Sequence, residues 1–246
     1  MRVCAIFLIL LPISPVWAAD SIGVAVASNF ARSAAELAER FESEAGVAVR
    51  LSNGSTGKLY AQILNGAPFD VFLAADADRP TRLERSGHAV PGARITYAQG
   101  TLVLWSRSAS DCHEALLDEN GGHIALANPV TAPYGRAAIE YLQGAGYWHL
   151  VSERAVYGEN INQALQFVAT GNAVTGLIAK SQLSAPQLPE AACTWEVPAS
   201  SHSSLDQQAV LLARAADNDN ARRFLEFLQS DAARDIIRRH GYEVQQ

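Results

Sequence analysis

Residues 47–75, VAVRLSNGSTGKLYAQILNGAPFDVFLAA, decide the fold class. Val47 to Leu51 is a short strand-like run, a small polar cluster follows, GKLYAQILNG reads as a short helix closed by Asn65-Gly66, and Phe69 to Ala75 is apolar almost without a break. A near-continuous apolar strand suits a parallel sheet covered on both faces, and strand, helix and strand in that order make one crossover unit of an α/β fold. The polar cluster SNGSTGKLY (52–60) invites reading as a nucleotide-phosphate loop, but its spacing forbids it. A P-loop needs four residues between its glycines and then Lys-Ser/Thr, whereas only Ser55 and Thr56 separate Gly54 from Gly57, and Leu59 follows Lys58. The Gly-x-Ser-x-Gly elbow of a hydrolase fails too, by one residue. What survives is a small polar loop opening a helix.

The same rhythm extends in both directions. Upstream, Ile22 to Ala27 is a buried-strand run, and NFARSAAELAERFESEAG places Phe30, Ala34, Leu37, Ala38 and Phe41 on one helical face that ends at Gly46. Downstream, TYAQGTLVLWSRS runs extended, and the pattern then repeats: strand HIALAN, helix PYGRAAIEYLQGAG, strand RAVYG, helix NINQALQFVATG and strand TGLIA. QQAVLLAR is strand-like, and residues 218–242 read as two helices separated at Ser230-Asp231, with Asp231 as an N-cap. Two α/β units of about 100 residues each fit the length. ITYAQGT and PASSHSSLDQQ are the candidate crossings between them, giving a discontinuous first lobe of residues 19–98 plus 205–246 and a second lobe of 99–204.

The N-terminus has the form of a secretory signal over residues 1–18: Arg2, an apolar run from Val3 to Trp17 broken by Pro12 and Pro15, then Val16 and Ala18 at the small positions before a cut. Cys4 leaves with it. The mature chain would hold 18 basic against 25 acidic residues, a net charge of about −7, and its arginines fall on mixed-charge helices, so nucleic acid is a poor partner. Cys112 and Cys193 remain in an oxidising compartment, where a bond between them is expected. The six histidines are scattered, with no metal-ligand spacing.

Four loops share one plan, in which a strand ends, a small polar or backbone-exposing cluster follows and a helix begins: Ala27-Ser28-Asn29, Gly54-Ser55-Thr56-Gly57, Thr131-Ala132-Pro133-Tyr134-Gly135 and Gly158-Glu159-Asn160-Ile161. A helix start carries unpaired N–H groups and partial positive charge, so several converging on one cleft make an anion site without a charged side chain. Each loop alone is as well explained by local helix capping. Lys58 either adds charge to such a site or points to solvent.

VASNF (26–30), SNGSTGKLYAQILNGAPFDVFLAADADRP (52–80), LANPVTAPYG (126–135) and VYGENINQALQFVATGNAVTGLIAKSQL (156–183) together resemble the periplasmic molybdate-binding proteins of bacterial ABC importers, in that order and across essentially the whole mature chain. The resemblance implies a two-lobed type II periplasmic binding protein, each lobe a mixed sheet flanked by helices. Such a protein clamps molybdate or tungstate in the cleft and passes it to an inner-membrane permease. It implies a monomer in the periplasm, with no catalytic residue, no cofactor and molybdenum present only as the oxyanion.

By position, the implied ligands are Ser28 and Asn29 of the first loop, Thr56 of the second, Tyr134 of the third and Ile161 of the fourth, with Ser55 and Lys58 as possible additions. Some members add a tyrosine after the GLI strand; here Ala179 stands there, and Tyr134 would supply the phenol instead. A shell of donors without a carboxylate suits a fully deprotonated dianion and disfavours protonated phosphate, whose O–H needs an acceptor. The same shell accepts sulfate, so discrimination rests on cavity radius. The rival readings are a sulfate, thiosulfate or iron carrier, though no adjacent tyrosine pair is present for iron, and a serine hydrolase built from Ser28 or Ser55 with His202 and Asp70 or Asp76. The two aspartates are more simply read as capping or core-edge carboxylates.

Overall fold

A computed structural model of the protein describes residues 21–118 and 121–244; the expected signal lies outside the described residues. Among the described residues ten strands form two five-stranded sheets. The first contains β1 (Ser21–Ala27), β2 (Ala48–Gly54), β3 (Val71–Ala74), β4 (Ala89–Gln99) and β10 (Asp206–Leu212), in the order β2-β1-β3-β10-β4. The second contains β5 (Leu102–Ser106), β6 (Ile124–Ala127), β7 (Ala155–Gly158), β8 (Thr175–Ala179) and β9 (Cys193–Glu196), in the order β7-β6-β8-β5-β9. Both sheets follow one plan, with three parallel strands, then one antiparallel strand, then an edge strand antiparallel to that one. The chain passes between the sheets at Gly100-Thr101 and again over residues 197–205.

Helices α1 (Ala31–Ala45), α2 (Thr56–Leu64) and α3 (Asp78–Arg85) flank the first sheet together with α8 (Asp219–Phe227) and α9 (Asp231–Arg239). The second carries α4 (Cys112–Leu117), α5 (Pro133–Gly144), α6 (Trp148–Val151) and α7 (Ile161–Ala169). The face expected of α1 is buried as a unit, from Phe30 through Ala34, Leu37 and Ala38 to Phe41, and each large apolar side chain removed from water there stabilises the lobe by about 1.5–3 kcal/mol. Gly46 ends α1 in the left-handed conformation at φ 69°, which a residue without a β-carbon adopts at little cost. All four residues of β3 are buried, as its apolar run requires. Short elements escape periodicity: the six-residue α4, the four-residue α6 and the edge strand β9 offer too few turns or alternations to declare themselves. The N-cap of α9 is Ser230, whose side chain accepts from Ala233 N–H; Asp231 is instead the first helical residue, where its charge still suits the helix dipole.

Cys112 and Cys193 are disulfide-bonded, with α-carbons 5.6 Å apart across a sequence separation of 81. The bond ties α4 to the edge strand β9. Closing a loop of that length removes about 4–5 kcal/mol of denatured-chain entropy in the chain-entropy model. Among the described residues no helix is long and apolar enough to cross a membrane.

Candidate functional site

All four polar loops lie at the carboxyl ends of parallel strands, two per sheet: residues 28–30 follow β1, residues 55–57 follow β2, residues 128–135 follow β6 and residues 159–161 follow β7. That end of an open sheet is where ligands lie in α/β folds. A ring of contacts brings the loops together. Gly57 N–H donates to Thr131 O at 2.8 Å, and Asn128 N–H donates to Gly158 O at 2.8 Å. Ser181 Oγ donates to Asn29 O at 3.1 Å, and Gln182 Nε2 donates to Ile161 O at 3.2 Å and to Asn162 Oδ1 at 2.8 Å. Arg79 Nη2 donates to Val130 O at 3.0 Å, and Lys58 pairs with Glu159. The starts of α2, α5 and α7 and the loop after β1 are therefore brought together where the two lobes meet.

The free donors at this junction are of two kinds. The N–H groups of Thr56, Tyr134 and Ile161 lie in the first turns of α2, α5 and α7 and have no acceptor among the described residues. At α7 the cap is selective: Asn160 Oδ1 accepts from Asn162 and Gln163 N–H and leaves Ile161 free. At α5 the first helical residue is Pro133, which lacks the donor, so the free N–H groups begin at Tyr134. Hydroxyls are the second kind. Ser28 is buried and its side chain makes no hydrogen bond among the described residues. Thr56 Oγ1 accepts from Ala75 N–H at 3.3 Å, which leaves its own proton to give.

Ser55 is the most informative of these. It stands at the N-cap of α2 with extended backbone, yet its side chain makes no capping bond; it is 2% exposed and its Oγ has no partner. A serine kept at a cap position for local reasons would bond an N–H of the first turn, and a buried hydroxyl without a partner costs about 1–3 kcal/mol. Local capping thus fails as an account of Ser55. Tyr134 Oη is likewise buried and without a hydrogen-bond partner. Burial pushes its phenol well above its ordinary range, so it stays a neutral donor. The ring crosses to the passage between the sheets and lies against Gly100.

Other residues hold the loops; the sequence reading gave Gly135 a place in the third loop and Asp76 a capping or core-edge role, and passed over Gln182. Gly135 approaches β6 so closely that a β-carbon would sit 2.2 Å from Ala127 O. Gln182 accepts from Ala179 N–H at 3.0 Å while fixing the first turn of α7. Asp76, 1% exposed, accepts from Arg79 N–H at 3.1 Å and pairs with its guanidinium. The one available signal for Gln182 was composition, a polar residue just after the strongly apolar strand β8. Asp70 also has a structural role, accepting from Gly23 N–H at 2.7 Å and pairing with Arg214 at 3.0 Å. Among the described residues no histidine bonds Ser28 or Ser55; His202 Nδ1 lies 2.8 Å from Ser203 O. Among the described residues no group of three or more His, Cys, Asp or Glu is placed to hold a metal ion.

Residues 22–243 match the family model of the bacterial extracellular solute-binding proteins. The chain is 42% identical over 227 residues to the molybdate-binding protein ModA of Rhodobacter capsulatus, covering 92% of this chain and 89% of that one. It is 42% identical over 230 residues to ModA of Azotobacter vinelandii, covering 92% and 91%. The solved periplasmic molybdate-binding protein of Azotobacter vinelandii superposes with a TM-score of 0.86 at 36% identity, over 92% of this chain and all of that one.

Proposed function

This chain belongs to the bacterial extracellular solute-binding proteins and within them to the family of the ModA molybdate-binding proteins, and on that footing we propose that it captures molybdate between its lobes for an ABC import permease. Tungstate, with the same charge and shape, is taken by the same donors. The protein acts in the periplasm, as a binding protein with no catalytic step and no resident cofactor.

The observation that carries this reading is the buried, unpartnered Ser55 hydroxyl at the uncapped start of α2. It supports a ligand that accepts hydrogen bonds. Around it we assign Ser28, Thr56 and the N–H groups of Asn29, Tyr134 and Ile161 as donors. The set contains no carboxylate, so an oxyanion that still carries a proton finds no acceptor for it. Removing the dianion from water in the closed cleft strengthens each of these bonds. Lobe closure is then the selection of the state in which both sets of donors reach one anion.

Calorimetry with sodium molybdate, tungstate, sulfate and phosphate tests the proposal. Tight molybdate and tungstate binding with weak sulfate and phosphate binding is expected. Equal affinity for sulfate moves the assignment to a general tetrahedral-oxyanion carrier, and absence of binding to all four removes it.

A further inference from the structure

We propose that Tyr242, in the tail after α9, is a positioning residue for the oxyanion site: its phenol grips Asn29 at two atoms and holds the loop after β1 in its binding conformation. This rests on the function proposed above for the cleft. Gly241, at φ +82°, turns the chain out of α9 and back toward the first sheet. The tail is fastened there, with Gln99 N–H donating to Glu243 O at 2.8 Å and Glu243 N–H donating to Gln99 O at 3.0 Å. Tyr242 is thereby buried, its ring edge-on to Phe30 at 5.2 Å between centroids.

From that position the hydroxyl of Tyr242 donates to Asn29 O at 2.7 Å and accepts from Asn29 Nδ2 at 2.9 Å. The other Nδ2 hydrogen goes to Gln207 Oε1 at 2.7 Å. The orientation of Gln207 is itself fixed, because its Nε2 donates to Leu205 O at 2.8 Å. The Asn29 side chain therefore has no N–H left for an anion. What the loop gives a ligand comes from backbone N–H groups and the Ser28 hydroxyl, and the side chain serves to fix the peptide that carries them. Asn29 lies in the loop directly after β1, Gln207 in β10 and Tyr242 in the core of the first lobe, so this grip does not depend on lobe closure. Ser181 Oγ, reaching the same carbonyl from the second lobe, adds to it on closure. Preorganising a binding loop in the free protein raises affinity by sparing the cost of ordering it on binding.

Tyr97 supplies an internal control. It is buried against the same Phe30 ring, at 4.8 Å between centroids, but its hydroxyl has no partner. Tyr242→Phe and Tyr97→Phe are compared in the mature protein by three readouts. Hydrogen–deuterium exchange of residues 28–34 without oxyanion is expected to quicken about tenfold in Tyr242→Phe alone, and the Asn29 side-chain amide resonances to move in that variant alone. Calorimetry is expected to show sodium molybdate bound about tenfold more weakly by Tyr242→Phe, and unchanged by Tyr97→Phe. Unchanged exchange, or an equal change in both variants, overturns the proposal, and so does a Tyr242→Phe protein that binds molybdate like the wild type. If the wild type binds no molybdate the proposed function fails, and the exchange and resonance readouts alone decide whether Tyr242 holds the loop.

Discussion

The phenol oxygen of Tyr134 lies so close over Gly100 that a β-carbon on residue 100 would sit 2.0 Å from it. Gly100 opens the first passage between the lobes, and Tyr134 is in the first turn of α5, so a helix start that faces the cleft is packed directly on a crossing. The contact is backbone against a fully buried ring, which has little room to retreat. Gly100→Ala is expected to lower ligand-free stability by about 1–3 kcal/mol, the usual cost of overpacking. By displacing α5 it should also weaken molybdate binding at least about tenfold. Urea unfolding and calorimetry measure the two effects; wild-type affinity in this variant would uncouple the crossing from the site.

Ser55→Ala should move stability and affinity in opposite directions. The Oγ is buried without a partner, so deleting it removes a desolvation penalty and is expected to leave the ligand-free protein as stable or up to about 1 kcal/mol more stable. A hydrogen bond to a dianion is worth about 1.5–3 kcal/mol, so molybdate binding should weaken about 10–100-fold. A serine that merely capped α2 would give the reverse: a loss of stability with affinity kept. Thermal melts with and without sodium molybdate separate the two outcomes.

The fold was legible where local pattern and tertiary need coincide. The face of α1, the apolar run of β3 and the repeat of strand–polar loop–helix across both halves state their burial in the sequence, and the two sheets are built from them. The starts of α2, α5 and α7 were legible for the same reason, since a helix must begin with unpaired N–H groups whatever surrounds it. What sequence could not supply is which of those groups stay unpaired. That Asn160 satisfies two N–H groups and spares Ile161, while Ser55 satisfies none, is a matter of side-chain direction. The support around the loops was hidden more deeply. Tyr242 and Asn29 are 213 residues apart, and nothing in a tail reading HGY indicates that it folds back into the first lobe.

Two cations bridge the lobes on the same rim, and their surroundings predict unequal effects. Lys58 and Glu159 are each about half exposed, so Lys58→Ala should change molybdate affinity by less than about fivefold, and less again in high salt. Arg79 is different. Its side chain is 14% exposed and is paired with Asp76 at 2%, so Arg79→Ala leaves a buried carboxylate alone and also removes the bond to Val130 O. A stability loss of about 3 kcal/mol or more is expected without ligand. Asp76→Asn combined with Arg79→Ala should recover part of it, because the stranded charge is gone. A Lys58→Ala effect as large as that of Arg79→Ala would contradict the ranking.

Acid should act on the contact between α1 and the end of α9. Glu36 accepts from His240 Nε2 at 2.7 Å and pairs with Arg239. The His240 hydrogen bond first, and then Arg239, hold its carboxyl below its ordinary 4.5. Because the folded value lies below the unfolded one, the stability this carboxylate contributes is fully present above 4.5. It is lost as the pH falls from there through the folded value. Glu36 is 42% exposed on its side chain, so solvent screening keeps the contribution under about 1 kcal/mol. Glu36→Gln should therefore be less stable than the wild type at neutral pH by that margin, with the gap closing as the pH falls below 4.5 through the lowered folded value. Urea midpoints across that range measure it, and a gap that persists or widens in acid would refute the assignment.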